Sequence, residues 1–319
     1  MNVTRCAALA PALALALAAC REPAPPGRTG GADPQARADS VVERNLDERI
    51  FERNVVFLTS GRDSVLVVPW FFTSLARRGG TTRRVRGWLA RADRWEAFFD
   101  ERWQTPPERA PFRILPRGPV SLIVGLDDAL ERISFEEGPR RLEVVLDALV
   151  ADWAGAGGES FRIHEGALQL GDRQVPGRVL DMNRSRRTTD VPPGDWIFLE
   201  GGPDVAAVFE ARIGVPATGQ PYSGWARRGE ASLRWTNVEV TWDEVRAFQD
   251  ARRDVPVAWS LRSPDGEVAG ALRSVAAWLA AGEGSGPLLP VDGLFQVGGT
   301  LLIEGDSIPV RGLVRHVQY

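Results

Sequence analysis

The sequence predicts an all-β protein: two tandem β-barrel or β-sandwich domains with a few short helices, behind an N-terminal export signal. Three observations carry this. Apolar residues alternate with polar ones at a period of two along many short stretches. Gly, Pro and Asp punctuate those stretches as turns. A strand–turn–strand pattern from mid-chain returns at the chain end, at an offset of about 134 residues.

The chain opens with Arg5, then an apolar run of Ala and Leu broken only by Pro11. That run is short for a spanning helix, which needs roughly 20 apolar residues, and has the three-part form of a cleaved signal. It ends Leu17-Ala18-Ala19-Cys20, the lipobox form. Residues 1–19 are therefore expected to be a lipoprotein signal peptide, with Cys20 the lipidated residue. Two acyl chains on one diacylglyceryl group anchor stably. The expected location is the bacterial cell envelope, and Arg21 in place of Asp after the cysteine favours the outer membrane in a Gram-negative host. Residues 20–49, rich in Pro, Gly, Ala and Arg, read as a flexible tether.

Composition narrows the chemistry. Loss of Arg5 with the signal moves the formal charge from -3 to -4, and no strongly basic field suggests a nucleic-acid partner. Every basic residue is Arg, so lysine Schiff-base mechanisms are excluded. Cys6 and Cys20 are the two cysteines and His164 and His316 the two histidines. Neither a disulfide framework, nor a metal site, nor a bound cofactor is expected.

Strands are expected over Ser64 to Phe72, Val120 to Val124, Leu142 to Val150, Trp196 to Leu199, Val205 to Ile213, Ala231 to Trp242 and from Val257 to Leu261, where Ser263-Pro264-Asp265-Gly266 reads as a turn. Trp235 and Trp242 flank Asn237, where the alternation slips and a bulge is expected. Two helices are expected. Trp88, Ala92, Trp95, Phe99 and Trp103 recur at three- and four-residue spacing, predicting an amphipathic helix over about 90–103. Thr241-Trp242-Asp243-Glu244 has capping-box form and predicts a short helix to about Ala251. Gly282-Glu283-Gly284-Ser285-Gly286 precedes Pro287 and opens no helix, so it is not a phosphate loop.

The repeat lays Phe161-Arg162-Ile163, Gly171-Asp172 and Gly177-Arg178-Val179 over Phe295-Gln296-Val297, Gly305-Asp306 and Gly312-Leu313-Val314. It predicts two similar β domains, residues 50–190 and 191–319.

Gly177-Arg178-Val179-Leu180-Asp181-Met182-Asn183 resembles the Gly, apolar strand, Asp-His-Asn pattern that ends the first domain of carotenoid hydratase and AttH-type lipocalin-like proteins. Arg311-Gly312-Leu313-Val314-Arg315-His316-Val317 is similar to the matching strand of their second domain. Met182 stands where the family usually has His. The resemblance implies two lipocalin-like domains and an apolar cavity for a long hydrophobic molecule; chemistry does not follow from it.

Asp181 and Asn183 lie two apart on a strand and share a face. In an apolar cavity Asp181 could protonate an alkene; alternatively it is a solvated carboxylate opening the polar run to Arg187. His316 falls at the repeat position of Asp181, either facing the second barrel or serving as a structural or surface residue. Trp225, Trp235, Trp242 and Trp259 are candidate ligand-lining residues, or core. The leading function is binding of a hydrophobic small molecule, a lipid or polyene, by a membrane-anchored protein. The alternatives are a hydratase, cyclase or isomerase acting on such a molecule with Asp181 as proton donor, and a structural envelope subunit.

Overall fold

A computed structural model describes residues 48–60, 66–107, 117–125, 128–212 and 219–319. Cys20, the signal and the tether to residue 47 lie outside the described residues. Seventeen strands and no helix make up the described chain.

The first domain is an antiparallel sheet of β1 (Arg49–Thr59), β2 (Leu66–Arg77), β3 (Gly80–Arg91), β4 (Arg94–Thr105), β5 (Val120–Val124), β6 (Leu130–Glu137), β7 (Arg140–Ala154), β8 (Ser160–Leu170) and β9 (Arg173–Arg187). Its order is β4-β3-β2-β1-β9-β8-β7-β6-β5. The second domain is a closed barrel of β10 (Trp196–Glu200), β11 (Val205–Ala211), β12 (Gln220–Arg228), β13 (Ala231–Phe248), β14 (Arg253–Arg262), β15 (Val268–Ala281), β16 (Val291–Ile303) and β17 (Asp306–Gln318), with β10 pairing β17.

Alternation along the strands builds three cores. Val55 and Phe57 face the inside of the first sheet with Trp70 and Val179. Ile197, Leu199 and Val314 face the inside of the barrel. Val56, Leu58, Leu180, Met182, Trp196, Phe198 and Leu313 face the other way and pack into a third core between the domains. Strands buried on both faces read as near-continuous apolar runs, which is why Val55-Val56-Phe57-Leu58 and Trp196-Ile197-Phe198-Leu199 show no polar side. Phe161 on Trp225 (4.8 Å) and Trp88 against Trp278 (5.0 Å) join the domains, and Asp292 bridges Arg86 and Arg315.

Both expected helices are strands. Gly87 pairs Phe99 while Trp88 pairs Ala97, so Phe98 is an extra residue in β4. This bulge flips the phase: Trp95 packs toward the inter-domain core, whereas Phe99 and Trp103 pack inside the sheet. Aromatics four apart thus arise from a bulged strand and a hairpin turn at Ala92 (φ 57°). At the second place β13 runs unbroken to Phe248, with register shifts around Asp243. Thr241 and Glu244, the two ends of the expected capping box, lie on the strand, and the Asp243 carboxylate accepts the hydroxyls of Thr241 (3.3 Å) and Ser260 at the bulge.

Other turn readings hold. Gly266 takes φ 77° and donates to the Ser263 carbonyl at 3.1 Å. The slip at Asn237 is a bulge: Tyr222 pairs Val238 but Gly224 pairs Trp235. In β7 the alternation from Leu142 fails after Leu146, where register shifts leave Ala148 exposed and turn Val150 to the inter-domain core.

The repeat has structural counterparts at its glycines. Gly177 lies where a Cβ would meet the Leu58 carbonyl oxygen at 2.1 Å, and at Gly312 it would meet that of Phe198 at 1.9 Å. In each domain the last strand passes the first too closely for a side chain. The turns differ by one residue: Gly171-Asp172 is itself the two-residue turn, whereas Glu304-Gly305 turns the second hairpin and Asp306 begins the strand.

Candidate functional site

Polar groups inside the barrel follow from the same alternation. Asp195 precedes Ile197 and Leu199 on their face, and His316 follows Val314. β10 pairs β17 with Trp196 opposite Arg315, so Asp195 and His316 are cross-strand neighbours. His316 Nδ1 lies 2.6 Å from Asp195 Oδ2, and Asp195 Oδ1 accepts the Val317 amide at 2.9 Å. Both side chains are buried. The His316 ring meets Trp242 edge-on at 5.4 Å and Phe295 at 6.2 Å. Its Nε2 is buried and, among the described residues, has no hydrogen-bond partner. Tyr222 is part of this lining; burial, and then the Asp195 charge, push its phenol well above the usual range.

With Nδ1–H donated to a carboxylate, a neutral imidazole presents a lone pair at Nε2. It can take a proton there, and Asp195 offsets the charge that forms. Trp242 and Phe295 set their rings against His316, and Trp259 packs on Phe295.

The sequence candidates divide among several settings. Trp235 stacks on Phe209 inside the barrel (6.2 Å, 12°), and Trp259 packs on Phe295 (5.3 Å). Trp242 stands beside His316. Trp225 faces the inter-domain core, away from the barrel interior. Asp181 is fully buried on the inner face of the first sheet, not solvated. Both its oxygens accept from Arg53, Nε to Oδ1 at 2.8 Å and Nη2 to Oδ2 at 2.6 Å, and Arg53 also reaches the Asp128 carbonyl at 2.9 Å. Both oxygens thus face one guanidinium, and a proton placed on either would weaken that ion pair. Asn183 is half-buried, and its Oδ1 has no partner among the described residues. Met182 faces the inter-domain core, so a His there would point away from Asp181.

Asp195, Tyr222 and Arg53 are not apparent as site residues in the sequence. Asp195 follows Pro192-Pro193-Gly194, which reads as a linker; the clue was its phase with Ile197 and Leu199. Arg53 shares phase with Val55 and Phe57, an arginine on an apolar face.

A separate groove of about 550 Å³ lies where the inter-domain core ends, lined among others by Arg184, Arg186, Glu210 and Trp225. Arg184 pairs with Glu210 across the domains. Burial pushes Glu210 up to about 7 against the pull of Arg184, with Glu159 and Glu52 adding to the rise. Among the described residues no cluster of His, Cys, Asp and Glu is placed to hold a metal.

No protein-family model and no curated protein matches the sequence. Solved structures do match. Kievitone hydratase from Nectria haematococca aligns over 84% of this chain and 88% of its own at 15% identity, with a TM-score of 0.54. A protein described as an AttH from Nitrosomonas europaea aligns over 85% and 92% at 12% identity, TM-score 0.58. CghA aligns over 85% and 88% at 11% identity, TM-score 0.52. The likeness spans both β domains in each case, and the chain has the two-domain, lipocalin-like fold of the AttH and hydratase-type proteins.

Proposed function

We propose that the protein is a lipid-anchored envelope protein that takes a hydrophobic small molecule, a lipid or polyene, into its second domain, where Asp195 and His316 move a proton to or from it. The observation that carries this is the His316 ring: Nδ1 held by Asp195 at 2.6 Å, Nε2 buried and unpartnered beside Trp242. An oriented imidazole among apolar rings suits proton transfer to carbon or to water. The reaction class is that of a hydratase, cyclase or isomerase, with His316 in place of Asp181 as the proton-transfer group. Apolar surface removed from water, worth roughly 25 cal/mol per Å², would drive uptake. Cys20 would hold the protein at the membrane from which such a molecule partitions.

A second reading, binding without chemistry, is favoured by the packing. His316 is 0% exposed, so a reactant reaches Nε2 only when the lining parts.

Mass spectrometry of the protein purified from its native membrane tests uptake. The proposal expects one or a few apolar molecules enriched over an unrelated lipoprotein prepared in parallel. A lipid profile identical to that control overturns it.

A further inference from the structure

Arg184 and Arg186 continue the face of β9 that carries Leu180 and Met182 into the inter-domain core. Glu210 likewise continues the face of Ala206 and Val208 on β11. Where the apolar residues run out, these three side chains meet in the groove beside Trp225. Arg184 is 5% exposed, and one of its nitrogens, Nη2, donates to Glu210. Among the described residues the buried Nε of Arg184 and the buried Nε of Arg186 have no partner. Among the described residues Arg186 has Glu52 as its ion-pair partner, at 3.9 Å. A buried guanidinium N–H without an acceptor carries a free-energy penalty that an incoming anion would relieve.

We propose that this groove binds an oxyanion, a carboxylate or phosphate-type group, on Arg184 and Arg186, with Glu210 competing for Arg184.

The other charges facing the groove are already engaged. Glu159 accepts the Gly157 amide at 2.8 Å. Asp190 accepts from the backbone and side chain of Arg187. Arg212 donates to the Thr236 carbonyl at 3.3 Å. Glu210 is therefore the internal anion that an external one displaces. Burial raises its pKa to about 7, so it loses its charge as pH falls through neutrality. Anion affinity then rises as pH falls, and binding takes up a proton.

Sulfate is the probe, because its charge is constant between about pH 6 and pH 8. Its binding is followed by calorimetry and by Trp fluorescence. The parent is expected to bind about tenfold more tightly at the lower pH. Glu210→Gln should bind at the higher pH as the parent does at the lower. Arg186→Gln, which leaves the Arg184–Glu210 pair in place, should lose about tenfold at both. Phosphatidylglycerol vesicles form a second arm. Vesicle binding that sulfate displaces assigns the anion to a lipid headgroup, and sulfate binding without vesicle binding assigns it to a soluble molecule. No saturable sulfate binding at the lower pH overturns the proposal. So does an affinity indifferent to both Arg186→Gln and Glu210→Gln.

Discussion

His316 Nδ1 lies 2.6 Å from Asp195 Oδ2 inside the barrel, while Asp195 Oδ1 holds the Val317 amide. The carboxylate thus fixes both the ring and the strand that carries it. Asp195→Asn can keep the amide contact through its own oxygen, but it turns an NH₂ toward Nδ1. The ring proton should then move from Nδ1 to Nε2, as when a triad carboxylate is replaced by amide. Nitrogen NMR of the imidazole checks this. A parent ring with no proton on Nδ1 contradicts the pairing. A stability loss of about 1–3 kcal/mol is expected in thermal unfolding.

The pair Arg53–Asp181 should behave as a structural ion pair. Asp181→Asn leaves a buried guanidinium without its counter-charge and should cost about 3–5 kcal/mol. Replacing both residues, as Arg53→Met with Asp181→Leu, should recover most of that loss, because the desolvation of both charges disappears. Chemical denaturation of the single and double variants decides it. A double variant as unstable as the single one would mean that the Asp128 carbonyl contact, not the pair, holds the site.

Much of the architecture was legible in the residues. Val55-Val56-Phe57-Leu58, the Pro-Asp-Gly turn and the slip at Asn237 each encode backbone geometry locally. The two false helices were not separable by pattern alone, because the bulge at Phe98 turns a period of two into an apparent period of four. The site was less legible. His316 stood out as one of two histidines, but its partner lies 121 positions away in sequence. Pairing across a barrel closure is set by topology, which local periodicity does not encode. The ion pair of Asp181 was hidden for the same reason, because Arg53 lies 128 positions away in sequence.

The glycines at which the last strand of each domain meets its first give a test of the repeat. Gly177→Ala and Gly312→Ala place a methyl on the carbonyl of the facing strand, at 2.1 and 1.9 Å before relaxation. Each should cost roughly 2–4 kcal/mol or prevent folding. Gly298→Ala, whose nearest neighbour would be 3.8 Å away, is the control and should change stability by less than about 0.5 kcal/mol. Thermal unfolding reads both. Equal effects at Gly298 and Gly312 would remove this crowding as the reason for these glycines.

The membrane tether is a matter of Cys20. Cys20→Ala should leave the protein soluble after export, or uncleaved, because no other residue accepts the acyl chains. Fractionation and intact mass distinguish the cases. A processed variant that still partitions with membranes as fully as the parent would contradict lipidation.

The proton-transfer role of His316 can be read directly. The apolar fraction that co-purifies with the protein is incubated with it in deuterium oxide, and deuterium gained by the molecule is followed by mass spectrometry. The parent should transfer deuterium, and His316→Gln should carry the molecule without transferring it. Exchange by His316→Gln at the parent's rate would contradict the account.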